Sequence, residues 1–161
     1  MASTGTAVVT LPTDTRVRIT REFAAPLHLV YRAWTTPSLI ARWWTANRGD
    51  ATVVEVDLRV GGAWRWVMVT PEGYEVAFHG VYREVVENER LVHTEVFEGA
   101  PEAEAVTTVT FEESDEGTLV TILVQHRNRA ERDAHVESGM ESGLQDALDL
   151  LERLAISMME A

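Results

Sequence analysis

The sequence contains no cysteine, which excludes disulfide bonds, thiolate metal ligands and thiol nucleophiles together. Long apolar runs are also missing, since none approaches the roughly 20 residues that a membrane helix needs. Residues 1–13 carry no basic stretch before an apolar one, so they do not resemble a secretory signal peptide. These absences predict a protein of the reducing cytoplasm that has no membrane-spanning segment.

Basic residues are scarce. Fourteen Lys and Arg residues stand against 26 Asp and Glu residues, which gives a formal net charge of −12. Nucleic acids and anionic membranes bind surfaces rich in Lys and Arg, so we expect neither as a partner. The acidic balance is explained by solubility. With 161 residues, of which 45% are hydrophobic, the chain is long enough for one domain with a core of its own.

Motifs for catalysis and cofactor binding are absent as well. The sequence has no phosphate-binding glycine loop, no dinucleotide fingerprint and no His-Glu-x-x-His zinc motif. The nearest approach to a serine-hydrolase elbow, from Gly139 to Gly143, has the wrong spacing. The five histidines do not follow metal-ligand spacing. We therefore predict no catalytic residue, no cofactor and no metal.

The hydrophobic pattern divides the chain into a flexible arm at residues 1–14 and a single domain at residues 15–158. Alternation over residues 16–23 predicts a first strand. Pro26 and Pro37 each suit the first turn of a helix, and apolar residues spaced by three and four follow both. Two short helices are therefore expected after the first strand.

The rest of the chain predicts a sheet and then a long helix. Between residues 52 and 127 the period is two, and turn signals separate the strands, which indicates an antiparallel meander. The six predicted strands cover residues 52–58, 63–70, 74–86, 91–97, 106–112 and 118–126. From Met140 to Met158 the apolar residues are spaced by three and four. The fold class is therefore α+β, with helices against one face of a sheet of about six or seven strands.

A long helix cannot contact a wide curved sheet everywhere, so the space between them becomes a cavity unless large side chains fill it. All five tryptophans lie between positions 34 and 66, and aromatic walls are typical of small-molecule sites. The alternative is that these side chains are ordinary core. The candidate ligand-binding residues on this hypothesis are Trp34, Trp43, Trp44, Trp64, Trp66, Met68, Phe78, Tyr82, Leu144 and Leu148.

Two polar residues complete the candidate site. Glu84 is in phase with Phe78 and Tyr82, so it is a buried carboxylate in need of a partner if that face is inward. A salt bridge at the sheet rim is the alternative. His93 lies in a predicted strand and could face the cavity. A structural or surface role is the alternative for His93.

Short motifs in a fixed order carry a resemblance to a known family. They include Phe23-Ala-Ala-Pro26, Tyr31-Arg-Ala-Trp34, Trp43-Trp44, Gly80-Val-Tyr-Arg-Glu-Val85 and Leu151-Glu-Arg-Leu154. Over residues 16–156 the chain resembles the homologues of the activator of heat-shock-protein ATPase, a branch of the START-like (SRPBCC) superfamily. The resemblance implies a helix-grip fold, in which a curved antiparallel sheet wraps a long C-terminal helix around a cavity.

The resemblance implies less about activity, because the branch has no universal catalytic set. Our leading hypothesis is the binding of a small hydrophobic or aromatic molecule for carriage, sequestration or sensing. One alternative is an enzyme similar to polyketide cyclases or hydrolases that uses a cavity carboxylate or histidine. Another is a chaperone ATPase activator with a role in the stress response. A homodimer is expected if Trp43 or Trp44 forms an exposed apolar patch.

Overall fold

The computed structural model describes residues 6–159, which form one mixed arrangement of strands and helices. In chain order the elements are β1 (Val8–Thr10), β2 (Arg16–Phe23), α1 (Leu27–Thr35), α2 (Pro37–Trp43), β3 (Asp50–Val56), β4 (Ala63–Val69), β5 (Glu75–Val86), β6 (Arg90–Phe97), β7 (Ala105–Ser114), β8 (Gly117–Gln125), α3 (Arg129–Glu137) and α4 (Met140–Met159). The predicted α+β class, with two short helices after the first long strand and a long final helix, is confirmed.

The eight strands of this part of the chain form one antiparallel sheet in the order β1-β2-β8-β7-β6-β5-β4-β3. Strands β3 to β8 follow one another as a meander, because each pair is joined by a short turn. The meander begins at the edge farthest from β2, so α1 and α2 carry the chain across the sheet. β8 then returns beside β2, with Ile19 opposite Ile122.

The first strand lies in the segment that was predicted to be a flexible arm. Residues 1–5 of that segment lie outside the described residues, whereas residues 8–10 form β1 instead of an arm. Their β-branched sequence Val8-Val9-Thr10 suits an edge strand, and Val9 lies opposite Ile19 of β2. The sheet therefore has one or two strands more than expected.

Local sequence explains where the helices begin and end. Pro26, with φ −61°, precedes α1, and Pro37 is the first residue of α2. Helix α3 was not predicted from the sequence. Asn128 in fact caps this helix, since its Oδ1 accepts a hydrogen bond of 2.9 Å from the backbone N–H of Glu131. Gly139, with φ +84°, separates α3 from α4.

The core lies between α4, α1 and one face of the sheet. Leu148, Leu151 and Ala155 of α4 are almost fully buried. They belong to the same core cluster as the inward residues of β2, β7 and β8, among them Val17, Val109 and Val120. None of the helices in residues 6–159 is both long enough and apolar enough to cross a membrane.

Candidate functional site

The aromatic residues singled out in the sequence form one continuous set of ring contacts, which we call the aromatic network. Its ring centroids lie 5.1–6.2 Å apart, mostly with edges against faces. The structure thus brings together every predicted aromatic site residue and His93. The predicted members of the network are Trp34, Trp43, Trp44, Trp64, Trp66, Phe78, Tyr82 and His93.

Strand register explains why these side chains meet. Trp64 lies opposite Gly80, and Trp66 lies opposite Phe78, so all four positions share one face of β4 and β5. Tyr82 lies opposite His93, which carries that face onto β6. Helix α2 supplies its Trp43 from the other side, and the ring of Trp43 lies 6.2 Å from that of Trp66. The network therefore joins the inward face of β4–β6 to the short helices.

The indole N–H groups of the network are used differently. Trp43 Nε1 donates to the carbonyl oxygen of Ala33 at 2.9 Å, and Trp64 Nε1 donates to that of Thr94 at 3.2 Å. Trp66 Nε1 is buried and has no hydrogen-bond partner among the described residues. A buried donor without an acceptor is unusual in folded proteins, so Trp66 is distinct from the two tryptophans that serve the fold.

Gly80 is a site residue that the sequence reasoning missed. A Cβ atom at this position would lie 1.9 Å from the carbonyl oxygen of Thr94 and 2.6 Å from Trp64 Nε1. The indole of Trp64 therefore passes over Gly80 on its way from β4 to β6. An isolated glycine inside a strand often marks such a close approach. Gly80, between Phe78 and Tyr82 in a predicted strand, is a glycine of this kind.

Glu84 does not share the face of Phe78 and Tyr82, and that expectation is corrected. A bulge between Tyr82 and Glu84 reverses the alternation, since Tyr82 lies opposite His93 whereas Glu84 lies opposite the next residue, Val92. The Glu84 carboxylate accepts a hydrogen bond of 2.8 Å from Arg90 Nε. This is the rim salt bridge that stood as the alternative.

Glu95 is the acidic residue that faces inward. It lies in β6 two residues after His93, directly opposite Ala105 of β7. Burial raises the pKa of Glu95 to about 7, and the nearby hydroxyl of Thr107 opposes part of that shift. The sequence analysis did not single out Glu95, although its spacing of four from buried Leu91 places both residues on one face of the strand.

Further polar groups face the same interior. Burial lowers the pKa of His93 and raises that of Tyr82. Neutral forms of both side chains are therefore favoured near pH 7. The Tyr31 hydroxyl of α1 and the Thr107 hydroxyl of β7 are buried without a well-formed hydrogen bond among the described residues.

The apolar candidates occupy two different environments. Leu148 is 1% exposed and belongs to the core around α4. Leu144, one helical turn earlier, is partly buried against that core. Met68 is also partly buried and lies beyond Trp66 on the inward face of β4. Leu144 and Met68 therefore lie at the margin of the interior, whereas Leu148 is part of the close-packed core.

Comparison with models of protein families shows to which family the chain belongs. Residues 24–155 match the family model described as activator of Hsp90 ATPase homolog 1-like protein. The chain belongs to this family. The resemblance predicted from its motifs is thereby confirmed. No curated protein sequence matches the chain significantly.

Solved structures support the same fold for this member of the activator of Hsp90 ATPase homolog 1-like family. A protein of Nitrosomonas europaea has 28% sequence identity and a TM-score of 0.82, over 94% of this chain and 100% of its own. A Mycobacterium smegmatis protein has 26% identity and a TM-score of 0.82, over 92% and 96% of the two chains. A Rhodobacter sphaeroides protein has the same fold, with a TM-score of 0.88 at 24% identity over 94% and 99%. The helix-grip prediction is confirmed.

In this family member the interior face offers aromatic surface, a carboxyl group, an imidazole and several unused polar atoms. Within residues 6–159 no three His, Asp or Glu side chains are arranged to hold a metal ion. A surface depression of about 430 Å³ lies elsewhere, at the start of α1, and contains none of the predicted site residues. The interior face therefore combines aromatic surface with polar groups that can donate and accept hydrogen bonds.

Proposed function

We propose that this protein binds a small apolar or aromatic molecule between the inward face of β4–β7 and helix α4. The observation that carries the proposal is the unpartnered Trp66 Nε1 inside the aromatic network. Leaving a buried donor unsatisfied costs about 1–3 kcal/mol. A ligand acceptor at this position would remove that cost, whereas a filled core would have no reason to retain it.

The surroundings of one imidazole and one carboxyl group, those of His93 and Glu95, favour an open space beside the aromatic network. Desolvation dominates the pKa shifts of both His93 and Glu95, so protein surrounds them closely. Each side chain nevertheless remains only partly buried. Groups that are enclosed and still accessible are expected next to a void rather than in a close-packed core.

The test uses two variants that carry the same substitution. Trp66→Phe removes the unpartnered N–H, and Trp43→Phe removes an N–H that serves the fold. Isothermal titration calorimetry with 4-phenylbutan-1-ol, a neutral amphipathic probe, measures binding to the full chain. We expect Trp66→Phe to weaken binding about tenfold, the size of one lost hydrogen bond in a dry site. Trp43→Phe should bind like the unsubstituted protein and unfold at lower urea.

Native mass spectrometry of the protein as isolated provides a second readout. A retained small molecule would give its mass and chemical class. Failure of the probe to bind, together with a clean protein mass, would contradict the proposal. Equal binding by the Trp66→Phe variant would show that the indole N–H is not part of the site.

Acid–base catalysis is a second candidate function, and the position of Glu95 favours it. Glu95 and His93 face the same interior from adjacent inward positions of β6. A carboxyl group with a pKa near 7 can both take and give a proton at neutral pH. A hydrolase or cyclase of this kind would lose turnover in a Glu95→Gln variant while retaining ligand affinity. Loss of affinity without any turnover in the unsubstituted protein would instead leave binding as the function.

The remaining expectations concern location and partners. The homodimer was predicted from an exposed Trp43 or Trp44, but Trp43 is buried and Trp44 packs between Trp66 and Phe78. A homodimer, a chaperone partner and a cytoplasmic location stay predictions. Size-exclusion chromatography with light scattering would check the first of these.

A further inference from the structure

The carboxyl group of Glu95 lies at the one inward position of β6 that has small neighbours on both sides. On β7 its partner is Ala105. On β5 the register places Gly80 opposite, because His79 lies opposite Val96 and Tyr82 lies opposite His93. The indole of Trp64 lies over Gly80, whereas Ala105 offers only a methyl group on the other side. The carboxyl group therefore has an aromatic ring on one side and a small side chain on the other.

Aromatic rings lie next to Glu95 on the inward face. The ring of His93 lies 5.1 Å from that of Trp64 and 5.9 Å from that of Tyr82. Trp64 in turn lies 5.3 Å from Trp66, whose N–H has no partner among the described residues. Glu95 thus lies on the inward face beside a group of contacting aromatic rings.

No basic side chain of the described residues pairs with Glu95. The chain has no lysine, so its fourteen basic residues are all arginines. Those nearest along the strands are engaged on the other face, Arg65 with Glu98 and Arg90 with Glu84. Within residues 6–159, the titratable groups beside Glu95 on the inward face are His93 and Tyr82, and both are favoured in their neutral forms.

A buried carboxylate normally has a cation or several donors as partners. The faces of Trp and Tyr rings attract cations as well. The net charge of −12 further raises the local concentration of cationic molecules around the protein. A cationic ligand group would satisfy Glu95, the aromatic walls and the overall field together.

We propose that the ligand is an organic amine, with an apolar or aromatic body against the aromatic network and a protonated nitrogen paired with the Glu95 carboxylate. This inference rests on the proposed binding function and names its ligand class. Neutral ligands would use the same aromatic rings but would leave the Glu95 carboxylate without a counterion.

The experiment compares three probes of one shape and different charge. They are 4-phenylbutylamine, 4-phenylbutan-1-ol and 4-phenylbutyrate, titrated into the full chain by calorimetry at pH 8. We expect the amine to bind about tenfold more tightly than the alcohol, because an enclosed charge pair contributes more than the hydrogen bond from Trp66 Nε1, which only the alcohol can accept. The carboxylate probe should bind least, because its charge repels Glu95.

Two variants with the same chemical change identify the residue responsible. Glu95→Gln should reduce amine affinity to that of the alcohol and leave alcohol affinity within about twofold. Glu84→Gln, which alters the rim carboxylate on the opposite face, should keep the preference for the amine. If Glu95→Gln does not fold, NMR of the 13C-labelled unsubstituted protein still decides, since the amine should lower the pKa of Glu95.

Each outcome separates the inference from the proposed function. Alcohol binding that equals or exceeds amine binding would overturn the amine proposal and leave small-molecule binding intact. The same conclusion would follow if the pKa of Glu95 did not move when the amine bound. Binding of none of the three probes would overturn the proposed function, and the amine proposal with it.

Discussion

The two halves of the sheet bury charge in opposite ways. In the half formed by β2, β7 and β8, the guanidinium group of Arg21 is almost fully buried and pairs with two carboxylates of helix α4. Arg21 Nη2 donates to Asp149 Oδ1 at 2.8 Å, and Nη1 lies 3.4 Å from Glu152 Oε2. The backbone N–H of Ala24 also donates to Glu152 Oε2, at 2.9 Å. In the half formed by β4–β6, Glu95 has no ion-pair partner among the described residues.

This difference indicates what each half does. A buried charge with a counterion fixes two elements at one relative position, as Arg21 and Glu152 fix α4 against β2. A buried charge that is left without a counterion destabilises the folded state unless a ligand supplies one. We therefore regard the β2–β7–β8 half as the scaffold and the β4–β6 half as the receptor.

The largest expected loss of stability follows from a substitution in the scaffold half. Glu152→Gln removes the charge that faces buried Arg21, and losing one member of a buried pair costs about 3–5 kcal/mol of unfolding free energy. Urea denaturation followed by circular dichroism measures this loss. Asp149→Asn is the matched control, because Asp149 is 44% exposed and its pair should contribute about 1 kcal/mol or less. Equal losses in the two variants would contradict the assignment of Glu152 as the main anchor.

A somewhat smaller effect, of opposite sign, is expected in the receptor half. The pKa of Glu95 is about 7 in the folded protein, whereas its ordinary value is 4.5, so the folded protein holds the proton more tightly between those values. Stability contributed by this group is therefore lost as the pH rises from 4.5 to 7. Glu95→Gln should stabilise the protein at pH 8 by about 3 kcal/mol and have little effect at pH 4.

Chemical denaturation of this variant and of the unsubstituted protein at both pH values checks the expectation. Glu84→Gln should not stabilise the protein at pH 8, because it removes the carboxylate that pairs with Arg90 at the rim. A Glu95→Gln variant that is less stable at pH 8 would mean that the carboxylate already has a partner in the folded protein.

The smallest effect concerns the edge of the scaffold half. The side chain of Gln145 on α4 binds the backbone of Ala7 twice, through its Oε1 at 2.9 Å and its Nε2 at 2.6 Å. Gln145→Ala should reduce the free energy of unfolding by about 1–2 kcal/mol. Hydrogen exchange should speed up in β1, while the affinity of the receptor half for 4-phenylbutan-1-ol stays unchanged. Unchanged exchange in β1 would show that pairing with β2 alone holds the strand.

The sequence was sufficient for most of the fold because alternation and helical spacing are local signals. The long strands and α4 follow such patterns, and so does the shared face of Trp64 and Trp66. Alternation gave the wrong face for a side chain where a contact with another strand changes the phase. The bulge after Tyr82 reverses the phase of Glu84, and only the partner strand shows it.

The remaining errors have similar physical origins. Val8–Thr10 is too short to be distinguished from a loop until the edge of β2 is available to pair with it. Helix α3 begins at an asparagine cap between arginines, a polar signal that also suits a turn. Glu95 resembled the many solvated carboxylates, because its burial depends on the small residues Gly80 and Ala105 in neighbouring strands.

The confinement of every tryptophan to one network has a spectroscopic consequence. Indole rings 5.3–6.2 Å apart exchange excitation readily, so the five emit as a coupled group rather than as independent reporters. Intrinsic emission of this protein therefore reports on the aromatic network, which joins the receptor half to α1 and α2. If emission and far-ultraviolet dichroism gave different denaturation midpoints, the two halves would unfold as separate cooperative units.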